Sequence, residues 1–159
     1  MNSTDVTNPL FPISNLRSAI LNGKVGGKSF RVETTLLPDT RVIEWRKGSG
    51  VRTLVSQYVA YLDGPIEEVA LDFYAQADDR SVWYFGTEGP AAMIMPAAPK
   101  VGDVHGPENI PGLVVEEVAE KSIGRTVNGP RGPVMGALVG RELHDGGTFS
   151  DKVFAPGYG

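Results

Sequence analysis

The chain has 159 residues, a formal net charge of −4 and no cysteine. That length implies one domain. The lack of cysteine excludes disulfides, zinc–thiolate sites and cysteine nucleophiles. The basic residues are scattered and lack the clustered positive face of a nucleic-acid footprint.

Twenty glycines and twelve prolines punctuate short runs of β-branched and aromatic residues, the pattern of an all-β domain with many turns. The start, MNSTDVTNPLFP, has neither a basic n-region nor an apolar h-region. The longest apolar stretch, Ala91 to Ala98, is broken by Pro96 and falls far short of a bilayer span. A soluble cytoplasmic protein, with no membrane and no nucleic-acid partner, is therefore expected.

In chain order, residues 1–8 are polar and expected to be loose, and NPLFP anchors the chain with Leu10 and Phe11. SNLRSAIL suits a helical turn or a strand, and GKVGGK a loop. In SFRVETTLL, Phe30, Val32, Thr34 and Leu36 alternate with Arg31, Glu33 and Thr35, a half-buried strand. PDT reads as a turn into RVIEW, KGSG as a turn into VRTLVSQYVAYL, and DGP as a turn into EEVALDFYAQ. ADDR then leads into SVWYFG. Residues 87–112 carry five of the twelve prolines and read as a long loop with at most one short strand. LVVEEVAEKSI, VMGALVGRELH and TFSDKVFAP follow as strands, with turns at NGPRGP and DGG. The expectation is an antiparallel up-and-down β-barrel of about eight strands, lipocalin-like, spanning residues 1–159 as a single domain.

The most patterned stretch is LDFYAQADDRSVWYFG, residues 71–86. With ADDR as a four-residue loop it forms a hairpin pairing Gln76 with Ser81, Tyr74 with Trp83 and Asp72 with Phe85. Asp72, Tyr74, Gln76, Trp83 and Phe85 would then share one face, and a slip of one residue would exchange the partners. Both faces are aromatic in either register. One should line the barrel while the other packs on a helix, a loop or a second subunit, which makes a homodimer compatible with the pattern.

Chemistry-bearing motifs are sparse. Gly27-Lys28-Ser29 ends a glycine-rich run, but the phosphate loop's first glycine is replaced by Asn22 and a strand follows, so a surface turn is expected. Asp103 and His105 supply two metal-type ligands without a third, so no metal and no cofactor are expected. No Gly-x-Ser-x-Gly elbow is present, although two histidines leave a Ser-His-acid triad open by count. The strand carboxylates Glu33, Glu44, Glu116, Glu117 and Glu142 are expected to face water. Asp72 is the exception: a carboxyl walled by aromatics has a raised pKa and can move a proton near neutrality, while the alternative, and the weightier one, is a buried structural acid accepting hydrogen bonds from a turn. Tyr58, Tyr61, Tyr74 and Tyr84 can each donate a hydrogen bond from an apolar ring. Met93 and Met95 suit an adaptable lid or, equally, core filling.

NPLFP, DFYAQADDRSVWYFG, IMPAAPKVGD and FAPGYG, in that order, resemble the motifs of an uncharacterised family of bacterial β-barrel proteins. Those motifs are Asp-[Trp/Phe]-[Tyr/Phe]-Ala-Gln-Asp, Asn-Val-Trp-Tyr-Phe-Gly-Glu, Met-Pro-x-x-Pro-x-x-Gly-Asp and Tyr-Ala-Pro-Gly-x-Gly. The resemblance spans nearly the whole chain and implies the barrel fold. The departures are the lack of an export signal, NLRSAIL in place of a Gly-x-x-Trp-x-Tyr run, and Thr87 where the family has an acid, with Glu88 one place later. The chain also stops just past APGYG, where the family often continues into a last strand. In architecture such barrels are similar to small polyketide-pathway cyclases, which need no metal or cofactor; this is analogy at the level of the fold.

Three functions follow as expectations. The first is a cofactor-independent cyclase or isomerase that folds an apolar polyketide-like substrate in the barrel. Asp72 and Tyr74 would be its catalytic groups, and Trp83, Phe85, Gln76, Tyr58, Met93 and Met95 would contact the small hydrophobic molecule. The second is a non-catalytic carrier of such a molecule. The third is an interaction module whose aromatics are all core.

Overall fold

A computed structural model describes residues 2–86, 91–110, 114–144 and 147–158. A 3-10 turn at Ile13–Asn15 precedes ten strands among the described residues: β1 (Ser18–Val25), β2 (Lys28–Arg46), β3 (Ser49–Leu62), β4 (Ile66–Gln76), β5 (Val82–Tyr84), β6 (Ala92–Met95), β7 (Val104–Ile110), β8 (Val114–Gly129), β9 (Gly132–Leu143) and β10 (Phe149–Phe154). β1 to β6 form one antiparallel sheet in chain order, and β7 to β10 form a second. The two sheets curl into facing half-barrels, so the fold is the expected all-β, up-and-down, barrel-like architecture.

The strand count differs from the expected eight for identifiable reasons. PDT does not turn the chain. Pro38 sits in a bulge between Leu36 and Thr40, and β2 runs through it; a bulge tolerates the missing N–H and bends the strand. SNLRSAIL supplies the 3-10 turn and β1. The proline-rich stretch supplies β6 and β7, with Pro107 in the irregular step between His105 and Glu108. GKVGGK is a tight hairpin turn. Gly26 and Gly27 have φ of 57° and 81°, the left-handed pair that a two-residue hairpin loop requires, so Gly27-Lys28-Ser29 belongs to a turn and a strand.

The 71–86 hairpin forms one residue out of the expected register. Tyr74 lies opposite Tyr84, Ala75 opposite Trp83 and Gln76 opposite Val82. Because side chains alternate, the slip moves Trp83 and Phe85 to the face opposite Tyr74. The inner face carries Leu54, Tyr74, Val82, Met95 and Leu138 as one apolar cluster. The outer face carries Val55, Phe73, Ala75 and Phe85 as another. The chain covers that outer face itself. β2 bends at its bulge and brings Trp45 to 6.0 Å from the Trp83 ring and 6.1 Å from Phe85, with Ile43 and Val51 alongside. The aromatic face that suggested a second subunit is occupied by the chain's own hairpin.

The N-terminal segment is pinned. Val6 and Asn8 are buried, and Leu10, Phe11 and Ile13 pack on the inner cluster and plug one end of the barrel. Gln76 Oε1 accepts the backbone N–H groups of Thr7 and Asn8, and its Nε2 donates to the Asp5 carbonyl. Asn8 Nδ2 donates to the carbonyls of Arg80 and Pro96. The far terminus joins them, since Gly157 N–H donates to the Pro9 carbonyl at 2.9 Å. Residues 2–8 are thus held by obligatory backbone groups that burial forces to find partners.

Candidate functional site

Beyond the plug, the inner face turns polar. β3 presents Ser56 opposite Asp72 and Tyr58 opposite Ala70, and β2 adds Thr34 opposite Tyr58. Asp72 is 8% exposed, and the Tyr84 hydroxyl donates to its Oδ1 at 3.2 Å. Tyr74 stacks between Phe11 and Tyr84, with ring centroids 5.1 and 5.5 Å away. Burial raises the Asp72 carboxyl above the usual aspartate range, against the hydroxyls of Tyr84 and Tyr74, which favour its charged form, while Glu68 adds a further push upward. Burial, reinforced by Asp72, pushes the Tyr74 phenol well above its ordinary value.

Tyr58 stands on the inner face of β3, two residues from Ser56. Burial raises its phenol first, followed by the charges of Glu68, Asp72, Glu116 and Glu142. The last two belong to β8 and β9, so the inner face at Tyr58 looks toward the second sheet. The far wall is built from adjacent strands. Glu142 on β9 is opposite Ser150 and Val118 and is 2% exposed. Lys152 Nζ donates to Glu142 Oε1 at 2.7 Å. His144, two residues beyond Glu142 and therefore on the same face, sits with Nδ1 3.3 Å from Glu116 Oε1 and Nε2 3.0 Å from Ser150 Oγ. The donor atoms of Glu116, Glu142 and His144 lie within 4.8 Å of one another. That is a spacing a divalent cation can use; in this structure Nδ1 faces Glu116, and Nε2 faces Ser150 with Glu142 Oε2 3.5 Å away.

The sequence-derived site therefore divides. Asp72, Tyr74 and Tyr58 share the inner face of the first sheet. Trp83 and Met93 meet elsewhere, at an open cleft of about 340 Å³ on the outer side, where Val104 and Gly106 also contribute. Trp83 Nε1 donates to Ser81 Oγ at 2.9 Å. Phe85 is core of the outer cluster. Met95 is fully buried in the inner one and lies on β6, so it is no lid. Gln76 is consumed in holding the N-terminal segment. Glu116 and Glu142 were expected to face water. Instead Glu142 is buried inward and Glu116 half-buried beside His144.

Asp103 and His105 do not form a ligand pair. Asp103 Oδ2 accepts the Lys100 backbone N–H, and His105 closes the seam between the sheets. Its Nδ1 is 3.1 Å from the Met93 carbonyl on β6, and its Nε2 is 3.0 Å from Glu120 Oε1 on β8. The carbonyl can only accept, so Nδ1 carries a proton and another lies between Nε2 and the carboxyl. Glu120 Oε2 is buried without a partner, in space left by Gly140, where an added Cβ would come within 3.3 Å of it.

No helix among the described residues is long and apolar enough to cross a membrane. Comparison with protein-family models, curated proteins and solved structures returned no match to this chain.

Proposed function

We propose that the chamber catalyses an intramolecular proton-transfer reaction, ring closure or isomerisation, on an apolar, oxygen-bearing substrate of the polyketide kind. The observation that carries this reading is the buried Asp72 carboxyl, bonded by the Tyr84 hydroxyl on the same inner face as Tyr74 and Tyr58. That carboxyl is held toward its protonated form among tyrosine hydroxyls. On the second sheet stands Glu142, an ionic partner of Lys152. Acid and base groups held apart by their surroundings are what such chemistry needs.

For a hydroxy-enone, Tyr58 or Asp72 donates a hydrogen bond to the carbonyl as charge develops on its oxygen. Glu142 takes the hydroxyl proton while the new carbon–oxygen bond forms, and then delivers that proton to the α-carbon as the enolate collapses, so the carboxylate is regenerated. The wall also pre-folds the guest, since holding reacting ends together is worth up to about 7–11 kcal/mol in favourable intramolecular cases.

The test is closure of a linear hydroxy-enone by the purified protein, followed by chromatography. D72N should slow it by about 10²- to 10⁴-fold, the usual contribution of a positioned acid, and Y58F should slow it measurably. Closure at an unchanged rate in both variants would overturn the assignment. A second reading, carriage of an apolar guest, is favoured by Leu21, Phe30, Val32 and Leu62, which share the inner face at the unplugged end without being fully buried. Tight binding of a hydrophobic dye, with no product from any hydroxy-enone, would favour that alternative.

A further inference from the structure

We propose that Ser150, His144 and Glu116 form a nucleophilic triad, giving the protein an acyl-transfer activity on small apolar esters. This goes beyond the acid–base reading and uses none of Asp72, Tyr58 or Tyr74. The order of contacts is that of a serine hydrolase. Ser150 Oγ is 3.0 Å from His144 Nε2, and His144 Nδ1 is 3.3 Å from Glu116 Oε1. Such a constellation is recognised by geometry and roles, whatever the chain order of its members.

Three elements hold it. Glu117 is opposite Leu143, so Glu116 comes level with His144. Ser150 is opposite Glu142. The backbone N–H of His144 donates to the Thr148 carbonyl at 2.9 Å, fixing the base of the β9–β10 connection. A Glu116 carboxylate only accepts, which puts the ring proton on Nδ1 and leaves the Nε2 lone pair for the serine hydroxyl. Glu142 Oε2 stands against the same pair, 3.4 Å from the serine hydroxyl and 3.5 Å from Nε2; both contacts are longer than the 3.0 Å between Oγ and Nε2, and its other oxygen is taken by Lys152. Ser150 is half-buried and His144 is 34% exposed at its side chain, so an ester can reach both. Lys152, two residues from Ser150 on the same strand face, holds its ammonium on Glu142 Oε1 at 2.7 Å, which keeps that neighbouring carboxylate paired.

The step balances without a cofactor. The Oγ–H proton passes to Nε2 as the Oγ–acyl carbon bond forms. Nε2 returns that proton to the departing alkoxide as the carbon–oxygen bond breaks. A water then gives a proton to Nε2 while its oxygen attacks the acyl carbon. The acid leaves, and Oγ recovers the proton.

The experiment is incubation with a fluorophosphonate, which phosphonylates an activated serine with loss of fluoride, followed by intact-mass analysis and peptide mapping. p-Nitrophenyl acetate hydrolysis is measured in parallel. One adduct at Ser150 is expected, absent in S150A. Labelling and hydrolysis should fall by about 100-fold or more in H144Q, the scale of a lost general base, and less steeply in E116Q, with circular dichroism checking that each variant folds. Wild-type protein that takes no label, a label mapped to another residue, or equal labelling in folded H144Q would overturn the triad. The wild-type result decides even if a variant fails to fold. Failure here leaves the D72N and Y58F outcomes on hydroxy-enone closure unaffected.

Discussion

Replacing Gly140 with alanine probes the wall behind the chamber. The added Cβ would lie 2.8 Å from Val118 Cγ1 and 3.3 Å from Glu120 Oε2. Carbon atoms pack best at about 3.5–4.0 Å, so the methyl overlaps the valine by roughly 0.7–1.2 Å. Val118 is 3% exposed and β-branched, with little χ1 freedom, so it cannot swing clear and the strands must part. Overpacking of this kind costs about 1–3 kcal/mol. Taking about 2 kcal/mol, the melting temperature of a chain this size should fall by roughly 4–8 °C. Differential scanning calorimetry of G140A measures the fall. V118A removes the atom that is struck, so V118A/G140A should be more stable than the two single losses added together, with a coupling of about 1–2 kcal/mol. G140A within about 0.5 kcal/mol of wild type, the range of a neutral surface change, or strict additivity in the double variant would refute the contact argument.

Asp72 makes stability depend on pH. Its carboxyl is raised in the folded protein, chiefly by burial, so the folded state keeps the proton to higher pH than the unfolded chain does. Its contribution is complete below the unfolded aspartate value and is lost as pH rises through the raised folded value. D72N is neutral throughout and can still accept from Tyr84, so its melting temperature should gain on wild type as pH climbs from acid to neutral; a gap that stays level or narrows contradicts this. N8A removes the side chain that serves the Arg80 and Pro96 carbonyls and the Leu10 N–H. Leaving such groups buried and unpaired should cost about 2–3 kcal/mol, read from the urea midpoint, and an unchanged midpoint would show that the plug is dispensable.

The class of fold was legible because alternation and turn chemistry agree along most of the chain. Gly26-Gly27 and Asp63-Gly64 mark tight turns, and both adopt positive φ. Pro38 and Pro107 misled because a proline in a bulge looks, in sequence, like a proline in a loop. The 71–86 register was unreadable because both parities are aromatic, so burial on either face satisfies the pattern. Asp72 and Tyr74 could be picked out as interior groups from that stretch alone. The far wall could not. On β9 the usual rule inverts: Leu143 is 45% exposed while Glu142 is buried, because Lys152 and Ser150 pair the carboxylate that an apolar core would reject. Ser150 and His144 meet only through the pairing of β9 with β10, and no local motif encodes that meeting. Gln76 looked like a polar contact for a guest, yet its hydrogen bonds reach back 68 to 71 positions to the N-terminal segment, a separation invisible to spacing rules.

The stopper at the closed end carries a consequence for biosynthesis. Asn8 finds its anchors at Arg80 and Pro96, 72 and 88 positions downstream, and Pro9 takes a hydrogen bond from Gly157. Each of these early residues waits for a strand made later, but not for the same one. Arg52 on β3 takes the Ser3 hydroxyl, Gln76 at the end of β4 takes the Thr7 and Asn8 N–H groups, and the Asn8 side chain is fully served only once residue 96 has been added. The stopper can therefore be fastened only in stages, in the order in which its receiving strands are synthesised.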